Sequence, residues 1–135
     1  QLMKWLKRTG AAVLLLPFIC IISFILYEVF GMCINHIATE RQTAELQNNL
    51  ESVICDIQII SVSSETGNTS GTGNHVDCLS SITFSTQMQE SEIKDSMAEY
   101  YELNEWSCYI TKTEDGLYLF YLNTSAPFAD NIEGH

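Results

Sequence analysis

From Ala11 to Tyr27 the sequence reads AAVLLLPFICIISFILY without a single charge, and after Glu28 it resumes as VFGMCI. Taken as one segment of roughly 20 or more residues, this run is long enough to cross a bilayer as a helix. Pro17 removes one backbone donor within it, which membrane helices tolerate. A cleaved secretory signal would need a small-residue site just after the apolar core, and no A-x-A pattern follows. A buried core helix is the other rival. The anchor reading leaves about 80 to 100 residues, enough for one small core. Because the sequence opens at Gln1 rather than Met, a few residues are expected ahead of it.

Charge gives the anchor a direction. Lys4, Lys7 and Arg8 precede the apolar run, whereas three basic residues (Arg41, Lys94, Lys112) face all 17 carboxylates beyond residue 10, a net of −14. Positive flanks are retained in the cytoplasm, so the acidic C-terminal part is expected outside. A surface this acidic repels phosphate backbones and anionic lipid, which argues against a nucleic-acid partner. Glu28, toward the outer end of the span, either snorkels to the interface or contacts another membrane helix.

The expected organisation is a cytoplasmic flank over residues 1–10, a transmembrane helix over 11–34 with lipid as its partner, a helical stalk over 35–53 and an α+β domain over 54–135. In the stalk, Leu46, Leu50 and Val53 form a face that would pack on the domain or on another copy of the chain. Val53 to Val62 is rich in β-branched residues and predicts a largely buried strand. After the turn-forming run Ser63 to Asn74, a second strand follows, with Val76, Cys78, Ile82 and Phe84 on one alternating face. Ile93, Met97, Tyr100 and Tyr101 fall along one stripe of a helix over Glu90 to Leu103, with Ser91 as its N-cap. Trp106–Thr113 and Leu117–Thr124 flank Glu114-Asp115-Gly116, a hairpin signal. The predicted order β-β-α-β-β gives an antiparallel sheet with one helix across a face. The aromatic residues of the last two strands divide between core and surface. The proline-bearing tail SAPFADNIEGH is expected to run over the surface or edge the sheet.

One stretch, TGNTSGTGNHVDC (Thr66 to Cys78), concentrates glycine, asparagine, histidine, aspartate and cysteine. It is not a phosphate loop: Gly67, Gly71 and Gly73 come without the lysine of G-x-x-x-x-G-K-[ST], and no helix follows. His75 and Cys78 are three apart, on opposite faces of a strand, and so form no nucleophile-base pair there. His75 and Asp77 share a face, but no C-x-x-C or H-x-x-x-H supplies the remaining ligands of a metal site. No catalytic set, metal site or cofactor is therefore assigned. Asn68, Asn74, His75 and Asp77 are kept as candidate binding residues of a recognition loop. Cys55, Cys78 and Cys108 fall on three predicted strands, leaving buried thiols and a single disulfide both open. Asn68-Thr69-Ser70 and Asn123-Thr124-Ser125 match the N-glycosylation acceptor.

The run GNTSGTGNHVDC and the ending LYLFYLNTSAPFADNIEGH resemble small uncharacterised membrane-anchored proteins of Gram-positive bacteria, over most of the C-terminal domain. The resemblance implies architecture and location, that group having no assigned activity. The order of apolar helix, stalk and small sheet domain is also similar to type IV pilins and pseudopilins. This sequence departs from them in having no prepilin-peptidase site ahead of the apolar run, and Glu28, its only acid, lies at the far end. The expected function is a membrane-anchored extracytoplasmic interaction or ligand-binding module. The alternatives are a pilin-like or other envelope-assembly subunit and an extracytoplasmic enzyme of unknown type.

Overall fold

A computed structural model describes residues 1–135. One helix, α1, runs unbroken from Leu2 to Val53 and carries Pro17 within it. Its N-terminal part is long and apolar enough to cross a membrane, and none of that window is buried by the rest of the chain. From Gly31 onward, α1 becomes one wall of the domain. Gly31, Asn35, Thr39, Thr43, Leu46 and Leu50 are buried at spacings of three and four, so a single stripe faces the C-terminal segment at Gly31 and Asn35 and the sheet beyond.

The remaining elements are β1 (Gln58–Gly67), β2 (Asp77–Ser85), α2 (Glu90–Met97), β3 (Cys108–Lys112), β4 (Tyr118–Ser125) and a short 3-10 turn over Ile132–Gly134. The strands form one antiparallel sheet in the order β1-β2-β4-β3, and the chain is α+β as expected. Alternation places Ile82, Phe84, Ile110, Tyr118, Phe120 and Leu122 on the inner face. There they pack with Leu46, Leu50 and Ile54 of α1 and Ile93 and Met97 of α2, forming the main core. The opposite face bears the stacked pair Tyr109 and Tyr121, with ring centroids 4.8 Å apart.

Three sequence expectations change. The first strand is not a buried run over Val53 to Val62. Helix α1 continues to Val53 because Leu46, Leu50 and Ile54 keep helical spacing against the core, and β1 begins only at Gln58. β1 is an edge strand, which leaves Ile60 53% and Val62 44% exposed. The second helix is shorter than Glu90 to Leu103. It is capped by a reciprocal box between Gln89 and Glu92, not by Ser91, and it ends at Met97. Its stripe therefore stops at Ile93 and Met97. Tyr100 is 49% exposed, while Tyr101, past the turn, meets Phe120 edge-on at 5.5 Å. The tail does not simply skirt the sheet. Residues 126–135 fold back as a strap across α1.

Candidate functional site

The loop from Asn68 to Val76 joins β1 to β2 at the sheet end nearest the apolar half of α1. Gly71 and Gly73 adopt φ of 67° and 70°, left-handed values that strain residues carrying a Cβ. Asn68 organises the turn around them. Its Nδ2 donates to the Gly73 carbonyl at 2.7 Å, and its Oδ1 accepts the Gly71 N–H at 3.1 Å. Thr69 donates to Asn123 Oδ1 at 3.0 Å, so the loop is also tied to the end of β4.

His75 and Asp77 do meet, with Nε2 and Oδ1 3.0 Å apart. Asp77 is buried, and its second carboxylate oxygen accepts the Ser70 N–H at 3.2 Å. Asn74, by contrast, is exposed and stands apart from this network. β2 begins at Asp77, so His75 belongs to the loop and not to a strand face. Its imidazole engages Asp77, while the buried Cys78 thiol lies 3.9 Å from the Asn35 carbonyl. No nucleophile-base pair forms between His75 and Cys78.

The strap surrounds the loop from the other side. The Val76 N–H donates to the Ala129 carbonyl at 2.8 Å, and the Ala126 N–H donates to the Val76 carbonyl at 3.0 Å. Asn68 Nδ2 reaches the Gly134 carbonyl at 3.3 Å. Gly134 lies so close to His75 that a Cβ would stand 2.6 Å from its backbone carbon, so only glycine fits there. On its α1 side the strap is held by three residues. Asn35 donates to the Phe128 carbonyl at 3.0 Å and accepts the Phe128 N–H at 2.9 Å. Glu28 accepts the Ile132 N–H at 2.9 Å through its carboxylate, and its backbone carbonyl accepts Asn131 Nδ2 at 2.8 Å. His36 Nε2 lies 2.6 Å from Glu133 Oε1, while Glu133 Oε2 is buried without a partner. Within the chain, Glu28 anchors the strap through both its carboxylate and its backbone carbonyl.

Between strap and core, the α1–sheet contact is polar. Thr39 and Thr66 hydroxyls are 2.7 Å apart, Thr43 and Ser80 hydroxyls are 2.7 Å apart, and Ser64 donates to Thr43 at 2.6 Å. Gln42 donates to the Cys78 carbonyl at 2.9 Å and to Ser80 at 3.0 Å, and it accepts from Thr124. Sequence reading missed this seam. Asn35, Thr39 and Thr43 recur every fourth residue and lead into Leu46 and Leu50, the same stripe written in polar residues.

All five cysteines are free thiols. Cys78 and Cys108 are buried, and burial pushes the Cys108 thiol up, away from reactive thiolate. Cys55 is exposed because it lies in the turn after α1, not on a buried strand. No group of three or more His, Cys, Asp or Glu side chains is arranged to hold a metal ion. The chain matches no protein-family model, no curated protein and no solved structure.

Proposed function

We propose that this chain is a single-pass anchored module that holds a small sheet domain at a fixed height outside the cytoplasmic membrane and works by contact, without catalysis. The carrying observation is continuity: the apolar part of α1 and the wall of the domain are one helix, with a strap bound across the junction. The candidate loop residues favour contact over chemistry. His75 and Asp77 engage one another, and Asn68 holds the loop and the strap, so these polar groups are committed to shape. The exposed Asn74 and Gly71–Gly73 rim is what the loop offers to a ligand or partner.

An envelope-assembly subunit is the second reading. It is favoured by the unhinged passage of α1 from apolar segment to domain, which transmits packing of the anchors directly to the domains. Topology tests the common part of both readings. Protease added to intact spheroplasts is expected to digest the domain and spare residues 1–10, and alkaline carbonate is expected to leave the chain in the membrane. A domain protected until the spheroplasts are lysed would overturn the orientation.

A further inference from the structure

The two free edges of the sheet differ. β1 is ten residues long and carries neither Lys nor Pro; its guards against edge pairing are a register shift between Ile59 and Ser61 and the charge of Glu65, which leave Ser61 to Ser64 unguarded. Ile60 and Val62 are exposed along it. β3 has five residues; Asn104 bonds its Cys108 end, leaving Ile110 to Lys112 free, and an open groove lined by Leu103, Asn104, Glu105, Tyr109 and Ile110 lies beside it. Trp106, 85% exposed, stands just before that strand. Lys94, paired with Glu90, lines the groove, and Lys112 ends β3. They are the only basic residues beyond Arg41. Asp56 and Glu65 lie on the β1 side.

Strand direction decides which edges can meet. Thr66 bonds Thr39 while Ser64 bonds Thr43, so β1 runs opposite to α1. By the antiparallel register β4 runs with β1, whereas β2 and β3 run with α1. Copies anchored the same way up in one bilayer differ only by rotation about the membrane normal and by translation. Two β1 edges, or two β3 edges, would then meet in parallel; an antiparallel β1–β1 pair would need one anchor inverted. A β1 edge meeting a β3 edge is antiparallel with every anchor upright, and antiparallel pairing is the slightly more stable of the two.

We propose that the partner of the β1 edge is the β3 edge of a second copy of this chain, so that neighbouring domains join into one continuous antiparallel sheet. This rests on the anchored-module reading and names its partner. Ile60 and Val62 of one copy enter the groove beside β3 of the next, and Lys112 of the next, level with Ile59 through Tyr118 and Phe84, comes to the Asp56 end of the first copy's β1. The contact is heterologous, and it extends as a ring or an open row in the membrane plane. Four strands at about 4.8 Å set neighbouring anchors about 19 Å apart. Helices in contact are about 8 to 10 Å apart, so the apolar helices do not touch in this arrangement.

Ser61 and Thr111 stand at the same level of the sheet through Thr83 and Leu119. The test uses the full chain in liposomes, with Cys20, Cys33 and Cys55 replaced by serine, under copper-phenanthroline oxidation. Ser61→Cys with Thr111→Cys in one chain is expected to give a ladder of covalent oligomers. The two single variants are expected to give a dimer only when mixed. Adding Val62→Lys to the double variant should abolish the ladder while leaving the near-UV circular dichroism unchanged. If the double variant misfolds, Ser63→Cys with Tyr109→Cys reads the same edge pair. Dimers from either single variant alone, absence of a ladder from folded double variants, or cross-linking through Cys20 of the otherwise native chain would each overturn the proposal. Retention in the membrane after alkaline extraction reports separately on the anchored-module reading, which survives a failed ladder.

Discussion

Helix α1 meets the sheet through two halves of one stripe, and the halves hold it differently. Near the distal end, Leu46, Leu50 and Ile54 are almost wholly buried among Ile82, Phe84, Ile93, Met97 and Phe120. Near the apolar segment, Asn35, Thr39 and Thr43 are equally buried, but they lie among hydroxyls, amides and the strap backbone. Apolar burial is large and non-directional, about 25 cal/mol per Å², so the distal half supplies most of the stability. A satisfied hydrogen bond nets only about 1 kcal/mol, but an orphaned buried partner costs more, so the proximal half fixes register more than it adds stability. The proximal seam lets the strap backbone run close to the apolar segment of α1 with its N–H and carbonyl groups bonded to Asn35, Glu28 and the loop.

The contrast breaks most sharply at Phe84, fully buried and packed 5.7 Å from the Tyr118 ring. Phe84→Ala should cost about 3 to 5 kcal/mol, read from urea unfolding of the full chain in mild detergent. Met97→Ala, in the same core, should cost about 2 to 5 kcal/mol. A loss below 1 kcal/mol at both sites would show that the distal half is not the stabilising one. In the proximal half, Asn35→Ala strips the Phe128 N–H and carbonyl of their partner and should cost about 1 to 3 kcal/mol. A loss as large as that of Phe84→Ala would erase the distinction.

The smallest effect belongs to Asp56, at the turn leaving α1. The Thr86 hydroxyl, then the Gln87 N–H, hold its carboxyl below the ordinary value of 3.8. A lowered folded value means that its contribution is present above the unfolded value and is lost as pH falls through the folded one. Wild-type stability should therefore decline more steeply than that of Asp56→Asn below about pH 4, and parallel curves would remove Asp56 from the account.

The distal half was legible in the sequence because its residues announce burial. Leu46, Leu50, Ile82, Phe84, Ile93 and Met97 all sit where apolar period places them. Tyr100 fitted the same period, but α2 ends at Met97 and the chain turns, so period alone extended the helix too far. The proximal half was not legible, since Asn35, Thr39 and Thr43 look like solvent-facing stalk until the strap supplies the partner of Asn35 and β1 and β2 supply hydroxyls to Thr39 and Thr43. The loop was half legible. The His75–Asp77 contact was expected from a shared strand face but forms with His75 in the loop, and nothing local distinguishes Asn68, which holds the strap, from Asn74, which does not.

Hydrogen exchange followed by mass spectrometry tests the division of α1 into two independent halves most directly, comparing Asn35→Ala with the unaltered chain in detergent micelles. Protection should fall at the amides of Val76, Ala126, Phe128 and Ile132, whose acceptors belong to the strap junction, while β2 and β4 around Phe84 and Phe120 keep theirs. Protection lost evenly across the sheet would contradict the account, because it would mean that the strap junction and the apolar core open as one unit.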